Sequence, residues 1–591
     1  MTTAAADLPV PRSQRWEALA QDVRYAARGI RNRPGFTLAV VVTLALGIGA
    51  NAAMFSVVDR LLFRPPAMMR TPGLMHRLYI NSTFRGKEYH SQSAAYARYV
   101  DLANTTRAFA RIALFTNNQM AVGVGTDVRQ MNVAAVSASF FGFFDAPAVV
   151  GRYFSAVEDT FPTPTPVAVL SWAYWQTAYG GRKDAVGQTI QVAATRYTII
   201  GVAPKGFSGV WPGTQPAVYI PVSARGAEIG ANIRLRGEQW WSTYHWTWAS
   251  LMGERKPGVS LEAANADLTA ALRKSYAAQD EADHTKRTAE QPIPNGTAES
   301  ILSERGPNRS SVARVATWIS GVAVAVWLIA CANVANLLLA RALKRRREIA
   351  VRLALGVSRL RLASQLLTES ILLALCGGVA GAMVAQWGGA VLRAQFLPKT
   401  TWGAVLTDPR TLMFAGITAV TAGLMTGLAP IFQAGRADLT SDLKTGVREG
   451  AIHRSRLRVA LLVVQGALSV VLLIGAGLFV RSVRNLETMR LGYDPVAVLS
   501  VDWNMRGIKL DSAASIALRE RLLSEAAATP GVERAAKTLT MPFWNSWDMG
   551  LSVPGIDSVD RLGSFNLNAV NPDYFATMGT RILKGRGITA V

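Results

Sequence analysis

The segment RRREIAVRLALG, from Arg345 to Gly356, has charged and apolar residues in a pattern that suits binding to another protein surface. In a helix, Glu348 and Arg352 lie one turn apart, in the order that favours their ion pair. Gly356 has the residue type that commonly ends a helix, and Ser358 has a type that commonly caps the next one. The pattern predicts a short helix followed by a second helix.

An apolar strip gives this short helix a docking face. Ile349, Leu353 and Val357 recur at helical spacing, and charged residues that include Arg345 and Arg347 surround them. A basic segment that merely orients a membrane protein would explain the arginines. It would not explain the ordered apolar strip. We therefore interpret the segment as a docking site for a partner.

Residues that could bind a metal or act as nucleophiles are scattered. Cys331 and Cys376 lie inside apolar runs, so they provide neither a disulfide framework nor metal-binding spacing. The five histidines form no HExxH motif, and no GxxxxGK[ST] phosphate loop occurs. We find no Ser/His/Asp or paired-carboxylate arrangement. We predict no catalytic, metal-binding or cofactor-binding residue in this chain, and a membrane-tethered enzyme lacks support.

Five apolar runs approach or exceed the roughly 20 residues that a helix needs to cross a bilayer. Half of the 591 residues are hydrophobic, yet the net charge is +24. The basic residues gather beside the apolar runs, which argues against nucleic-acid binding and for membrane orientation. The predicted spans are Phe36 to Val58, Ala316 to Leu339, Leu366 to Trp387, Thr411 to Phe432 and Leu457 to Val480.

The distribution of arginine and lysine predicts the orientation of these spans. Basic residues crowd the stretch before the first span, the second-to-third loop and the fourth-to-fifth loop, so these three segments should be cytoplasmic. The spans themselves contain almost no charge. The predicted organisation is a basic N-terminus (1–35), spans at 36–58, 316–339, 366–387, 411–432 and 457–480, an outward domain with a stalk (59–315), a coupling loop (340–365), a cytoplasmic linker (433–456) and a partial second outward domain (481–591).

The outward segment reads as an α+β domain. Short β-branched runs at Val167 to Ser171, Thr189 to Ala193 and Tyr197 to Pro204 alternate with helical patterns, one of which begins with Ser260 as its cap. The tryptophans at 240, 241, 246 and 248 could bind a carbohydrate or a lipid. We favour a structural role in the hydrophobic core.

A long internal repeat connects two parts of the chain. Val136, Phe141, Gly151 and Arg152 match Val570, Phe575, Gly585 and Arg586 at one offset, 570 − 136 = 434. Self-similarity of this kind indicates duplication of a whole unit. The fifth span then corresponds to the first. We expect the chain to be a C-terminally truncated product of a longer duplicated protein, because its second outward domain is incomplete.

Several stretches resemble the MacB/FtsX superfamily of ABC transporter permeases, in particular its duplicated branch described from acidobacteria. They are DVRYAARGIRNRPGFTLAVVVTLALGIGANAAMFSVVDRLLFRP, FFDAPAVVGRYFS, VAVLSWAYWQ, GQTIQVAATRYTIIGVAPKGF, VRSVRNLETMRLGYDP and, most specifically, CANVANLLLARALKRRREIAVRLALGVSRLRLASQLLTESILLALCGG.

The resemblance implies an α-helical membrane protein with an inserted MacB-like periplasmic core domain in the bacterial inner membrane. It implies an ABC ATPase as cytoplasmic partner, with ATP and Mg bound by that partner, and an adaptor or outer-membrane channel as periplasmic partner. The coupling residues it indicates are Arg345, Arg347, Glu348, Ile349, Arg352, Leu353 and Gly356. The expected function is export or extraction of a periplasmic or membrane client. The alternative is an FtsX-like scaffold that regulates a periplasmic enzyme without transport.

Overall fold

The secondary structure alternates between long apolar helices and one sheet-rich insertion. The computed structural model describes residues 12–84, 87–211, 215–230, 239–284, 293–302, 305–307, 311–344, 351, 355, 358–396, 405–434, 456–489, 491–502, 510–543, 546–548, 553 and 565–589. The helices are α1 (Arg12–Arg31), α2 (Pro34–Val58), α3 (Tyr96–Thr105), α4 (Trp172–Tyr179), α5 (Val222–Gly230), α6 (Leu261–Ala282), α7 (Ser311–Lys344), α8 (Arg359–Phe396), α9 (Pro409–Ala434), α10 (Arg456–Glu487), α11 (Ser512–Ala528) and α12 (Tyr574–Thr577).

The strands lie almost entirely in the insertion between α2 and α7. They are β1 (Met75–Phe84), β2 (Lys87–Ser91), β3 (Ser93–Ala94), β4 (Phe109–Val122), β5 (Arg129–Val136), β6 (Val150–Gly151), β7 (Val167–Leu170), β8 (Thr189–Val192), β9 (Thr195–Val202), β10 (Val218–Pro221), β11 (Ala249–Arg255), β12 (Asn295–Ser300), β13 (Trp547–Asp548) and β14 (Asn566–Leu567).

Five helices in the described part of the chain are long and apolar enough to cross a membrane: α2, α7, α8, α9 and α10. Leu44 and Ile48 of α2 are buried together with Val334 of α7, Leu373 of α8 and Ala419 of α9, so these four helices share one core. Many of the buried residues are small, as expected where helices pack without the help of water exclusion. The protein is therefore a multi-pass membrane protein with the predicted helical architecture.

The basic N-terminal stretch, which the sequence analysis treated only as a charged segment, contains helix α1. Among the α1 side chains that the structure describes, Asp22 and Ala26 are buried, one turn apart on a single face, while Arg24 and Arg28 are exposed. A helix forms because one narrow face packs against the bundle. Charge counting alone does not detect such a face.

The insertion is an α+β domain built on one mixed sheet, which confirms the predicted fold class. The strand order is β12-β1-β11-β4-β5-β10-β7-β9-β6, with β2, β3 and β8 paired beside this path. The β10–β5 and β7–β9 pairs are parallel, and β1 pairs antiparallel with both β11 and β12. All four residues of β7 and of β10 are buried, as in strands covered on both faces.

Two helix caps in this domain match the residue types in the sequence: the pair Gly180-Gly181 predicts the end of one helix, and Ser260 predicts the start of another. Gly180 ends α4 in the left-handed conformation, with φ of 61°. Ser260 precedes α6, and its Oγ accepts a hydrogen bond from the backbone N–H of Ala263 at 3.1 Å. Both caps follow from local residue type, which is why the sequence predicts them.

The tryptophan cluster belongs to the core of this domain. Trp240 is buried, and its ring lies 5.1 Å from that of Tyr96 in an edge-to-face arrangement. Trp241, Trp246 and Trp248 are partly buried and pack against the same hydrophobic cluster. The structural interpretation of these residues is confirmed.

The repeated Gly-Arg pair has a defined conformation in both copies. Gly151 and Gly585 have φ of 69° and 82°, values that favour glycine. A Cβ on Gly151 would collide with the carbonyl oxygen of Ile200 in the neighbouring strand. Phe141 and Phe575, also related by the repeat, both lie in short helical turns. The shared backbone geometry supports the internal repeat.

Arg152 of the first copy holds the following turn by an ion pair with Glu158. The Arg152 Nη1 and the Glu158 Oε2 are 2.7 Å apart, and Glu158 also accepts from the backbone N–H of Ser155. The hydrogen bond from Arg152 has the largest effect on the pKa of Glu158. Together with the hydrogen bond from Ser155 it lowers this pKa to about 2, although burial opposes the shift.

We expect Arg152→Ala to raise the pKa of Glu158 toward its ordinary value of 4.5. Because the folded-state pKa lies below the unfolded one, the pair stabilises the domain above about pH 4.5, and this contribution is lost as the pH falls toward 2. Arg152 is exposed, so the loss at neutral pH should be at most about 1 kcal/mol. Unfolding measured from pH 2 to 7 checks this prediction, and an unchanged pH profile in the variant would contradict it.

Residues 476–591, with two short segments at 121–125 and 191–195, form a second compact unit. Within it, α11 begins at the cap Asp511, whose Oδ1 accepts from the N–H of Ala514 at 2.7 Å. A two-stranded sheet joins β13 and β14, and Thr538 forms an antiparallel bridge with Val570.

Candidate functional site

The helices on either side of the predicted docking segment are held in the bundle by charged residues. The segment begins after α7 and ends at α8, where Ser358 Oγ accepts a hydrogen bond from the backbone N–H of Arg361 at 3.2 Å. The predicted capping role of Ser358 is therefore confirmed. The predicted coupling residues themselves, Arg345, Arg347, Glu348, Ile349, Arg352, Leu353 and Gly356, lie outside the described residues.

Helix α1 is tied to the start of α8 by a buried carboxylate. Asp22 is 1% exposed, and its Oδ2 accepts hydrogen bonds from Arg361 Nη1 at 3.0 Å and from Ser364 Oγ at 3.1 Å. Carboxylates are almost never buried unless they are paired. This contact fixes the first turn of α8, immediately after the docking segment, against the N-terminal helix.

A second ion pair joins the end of α7 to α8 across the same segment. Arg341 Nη1 lies 2.5 Å from Glu369 Oε1, and the two side chains are 10% and 11% exposed. The Arg341 guanidinium also lies 4.7 Å from the ring centroid of Phe36 at the start of α2. A Cβ on Gly29 of α1 would lie 3.7 Å from Glu369 Oε1, so α1 also packs closely against this pair.

We call these two contacts, Asp22–Arg361/Ser364 and Arg341–Glu369, the junction. It joins α1, α2, α7 and α8 at the end of the bundle where the docking segment is attached. The flanking helices α7 and α8 are anchored within about two helical turns of the segment on each side. The arrangement suits mechanical coupling.

Exposed aliphatic residues mark the segment next to the junction. Val351 and Leu355 are 52% and 78% exposed, and Leu360 in the first turn of α8 is 85% exposed. The N–H of Leu355 donates to the carbonyl oxygen of Val351 at 3.0 Å. Leu355 and Leu360 were not singled out from the sequence, although they suit an apolar docking surface.

Helix α8 is in close contact with α2 at glycines. A Cβ on Gly381 would lie 3.0 Å from the carbonyl oxygen of Ala45 and 3.1 Å from the backbone nitrogen of Gly49. A Cβ on Gly377, the other half of the GxxxG pair, would lie 2.7 Å from Leu44 Cβ. The GxxxG spacing of Gly377 and Gly381 predicts close helix packing, and the structure confirms this prediction.

The acid of the second ion pair in the junction was not predicted from the sequence. Glu369 falls inside the predicted third span, which was described as almost free of charge. A buried carboxylate within a span is costly unless it is paired, and Arg341 supplies the partner from the adjacent helix. The signal was available: Glu369 is an isolated acid in an apolar run that directly follows an arginine-rich loop.

Two protein-family models match the chain. A MacB-like periplasmic core domain matches residues 37–271, and an FtsX-like permease C-terminal domain matches residues 320–439. The second match contains the docking segment, Arg341 and Glu369. The first covers most of the mixed sheet.

Curated relatives match parts of the chain at low sequence identity. The chain is 26% identical over 326 residues to the pyoverdine export ATP-binding/permease protein PvdT of Pseudomonas syringae pv. tomato, covering 54% of this chain and 44% of that protein. It is 24% identical over 350 residues to the macrolide export ATP-binding/permease protein MacB of Bordetella avium, covering 59% and 46%. The chain thus spans less than half the length of each of these relatives.

Among solved structures, the periplasmic region of MacB from Actinobacillus actinomycetemcomitans matches with 14% identity and a TM-score of 0.26, covering 36% of this chain and 95% of that one.

Proposed function

The chain belongs to the MacB/FtsX-type ABC transporter permeases, and on this premise we propose that it is the membrane subunit of an ABC-type system driven by a separate cytoplasmic ATPase. The observation that carries the proposal is the junction. It anchors the helices on either side of the docking segment to the bundle and leaves Leu355 and Leu360 exposed for a partner.

The proposed coupling pathway runs from the docking segment through α8 to the α+β domain. The partner binds ATP and Mg and hydrolyses ATP, and its movement displaces the segment. The junction passes this displacement to α8, and the glycine contact at Gly381 and Gly49 passes it to α2. Since α2 leads directly into the α+β domain, that domain moves in response to ATP hydrolysis.

A partner ATPase is proposed because these 591 residues contain no GxxxxGK[ST] phosphate loop. The relatives are named as combined ATP-binding and permease proteins that export pyoverdine or macrolides. By analogy, we propose export or extraction of a periplasmic or membrane client, with a periplasmic adaptor or an outer-membrane channel as further partner.

The proposed location is the bacterial inner membrane, with the N-terminus and the docking segment in the cytoplasm. Arg24, Arg28, Arg31 and Arg33 precede the first span, and an arginine cluster fills the α7–α8 loop. Positive residues are retained on the cytoplasmic side. This orientation places the α+β domain in the periplasm.

Replacement of Glu348 and Leu353 by arginine is expected to abolish co-purification of the chain with its ATPase, because it removes both the helix-stabilising ion pair and part of the apolar strip. The measurement co-expresses the full chain with candidate ABC ATPases and compares the amount of ATPase recovered. Val128→Arg, an exposed position in the α+β domain, is the control and should leave recovery unchanged. Undiminished recovery with the double variant would overturn the docking proposal.

A further inference from the structure

A second network of charges lies at the opposite end of the helix bundle, where α2 ends. Asp59 follows α2 directly and begins a single π-helical turn that extends to Phe63. Arg64 comes next, and its Nη2 donates to Asp59 Oδ2 and to Asp408 Oδ2, both at 2.8 Å. Asp408 immediately precedes α9, so Arg64 joins the exit of the first span to the entry of the fourth.

Two further contacts complete this network. Arg410 Nη1 donates to Asp59 Oδ1 at 3.0 Å, and Thr411 Oγ1 donates to Asp408 Oδ2 at 2.7 Å. The two carboxylate side chains are 4% and 6% exposed. We call the four charges Asp59, Arg64, Asp408 and Arg410 the clasp. Two acids and two bases alternate in it, so every buried carboxylate faces a cation.

The electrostatic environment of Asp408 favours its charged form. Burial favours the neutral form of Asp408, but hydrogen bonds from Thr411 and Arg64, together with the positive charges of Arg64 and Arg60, lower its pKa overall. Both carboxylate oxygens of Asp408 accept a hydrogen bond from Arg64 Nη2 at 2.8 Å.

The chain that leaves the clasp is attached directly to the core of the α+β domain. Met69 forms an antiparallel bridge with Phe144, and the N–H of Asp145 donates to the carbonyl oxygen of Met68 at 2.7 Å. Both Met69 and Phe144 are buried. Few residues therefore separate the clasp from the domain core, and a shift of Arg64 cannot be absorbed by a long flexible linker.

We propose that the clasp positions residues 64–75, the root of the α+β domain, by making the end of α2 and the start of α9 move as one body. It acts on the domain through residues 64–75 and touches no client itself. This inference rests on the proposed function, in which movement of the helices is delivered to that domain. Without the clasp, α2 would keep its glycine contact with α8, but the domain root would no longer follow α9.

The test measures the distance between α9 and the domain with spin labels in the full chain, reconstituted in lipid nanodiscs. Cys331 and Cys376 are replaced by alanine, and cysteines are introduced at Leu406, beside the clasp, and at Val149 in the domain. Both positions are exposed, at 45% and 51%. With the clasp intact, we expect one narrow distance distribution.

Arg64→Glu should abolish that narrow distribution, because it places a third acid between Asp59 and Asp408. Adding Asp408→Arg should restore it, since the guanidinium introduced at position 408 faces the carboxylate introduced at position 64 and the network again holds two acids and two bases. Arg70→Glu makes the same charge change on the same connecting segment, and it should leave the distribution narrow. A narrow distribution in Arg64→Glu, or equal broadening in Arg70→Glu, would overturn the proposal.

These distances are measured without any ATPase. A failure of the clasp to control them therefore leaves the docking proposal intact, and a loss of ATPase recovery in the docking variants leaves the clasp intact. Circular dichroism of each variant confirms that the helices are retained, so a broadened distribution reports position and not unfolding.

Discussion

Replacement of Glu369 by alanine should destabilise the protein by about 3–5 kcal/mol, the typical loss when one partner of a buried ion pair is removed. The Arg341 side chain is only 10% exposed, so it would keep a charge in a site that gives little access to water. Arg341 also contacts Phe36 of α2, which means that the variant disturbs three helices at once. The measurement is thermal unfolding of the purified chain in detergent.

The double variant Arg341→Leu/Glu369→Leu separates the charge effect from packing. Replacing both partners by apolar residues removes the uncompensated charge, and such replacements are often neutral or stabilising. We expect the double variant to recover most of the lost stability. Glu281→Ala, at an exposed position near the end of α6, serves as the control and should have little effect. Equal unfolding temperatures for Glu369→Ala and the unmodified chain would show that the pair does not stabilise the bundle.

Replacement of Gly381 by leucine should separate α8 from α2. Even a single Cβ there would approach the backbone of Ala45 and Gly49 to within about 3 Å, and backbone atoms cannot move aside as a side-chain tip can. Overpacking typically costs about 1–3 kcal/mol, and occasionally more. We expect the variant to lose about 3 kcal/mol of stability or more, measured by thermal unfolding in detergent.

Gly388 offers a matched control for this variant. It lies on the same helix, and a Cβ built on it meets no atom within 4 Å among the described residues. Gly388→Leu changes helix propensity in the same way but introduces no steric conflict. If the two leucine variants unfold at the same temperature, the close contact between α2 and α8 is not what holds these helices together.

The features that the sequence predicts are those encoded within a few neighbouring residues. The apolar runs predict the spans because length and composition decide membrane insertion. Gly180 and Ser260 mark helix ends through backbone preference and a local hydrogen bond. Gly377 and Gly381 predict close packing because four residues return a helix to the same face.

The junction and the clasp could not be predicted in the same way, because their partners are distant in the chain. Asp22 and Arg361 are separated by 339 residues, and Asp59 and Arg410 by 351. No local pattern states which of many arginines a buried acid will meet. Helix α1 was missed for a related reason: the face it buries is formed by Asp22 and Ala26, and an acid at a buried position looks exposed until its partner is known.

The unexpected charges nevertheless have a common feature. Glu369, Asp59 and Asp408 all lie next to or within apolar helices, and each pairs with an arginine from a different segment of the chain. An acid beside a membrane span is therefore a useful indication of an interhelical contact in this chain. The basic residues alone are less informative, because orientation in the membrane already accounts for many of them.

The most direct test of the account is site-specific photo-crosslinking at Leu355. A photoreactive amino acid at this position, in the full chain co-expressed with candidate ABC ATPases, should form a covalent adduct that mass spectrometry identifies as one of those ATPases. The same probe at Val128, in the α+β domain, should not. Two results would contradict the assignment of the docking segment, Arg345 to Gly356. One is a Leu355 probe that yields no ATPase adduct while the proteins still co-purify. The other is an ATPase adduct formed equally from Val128.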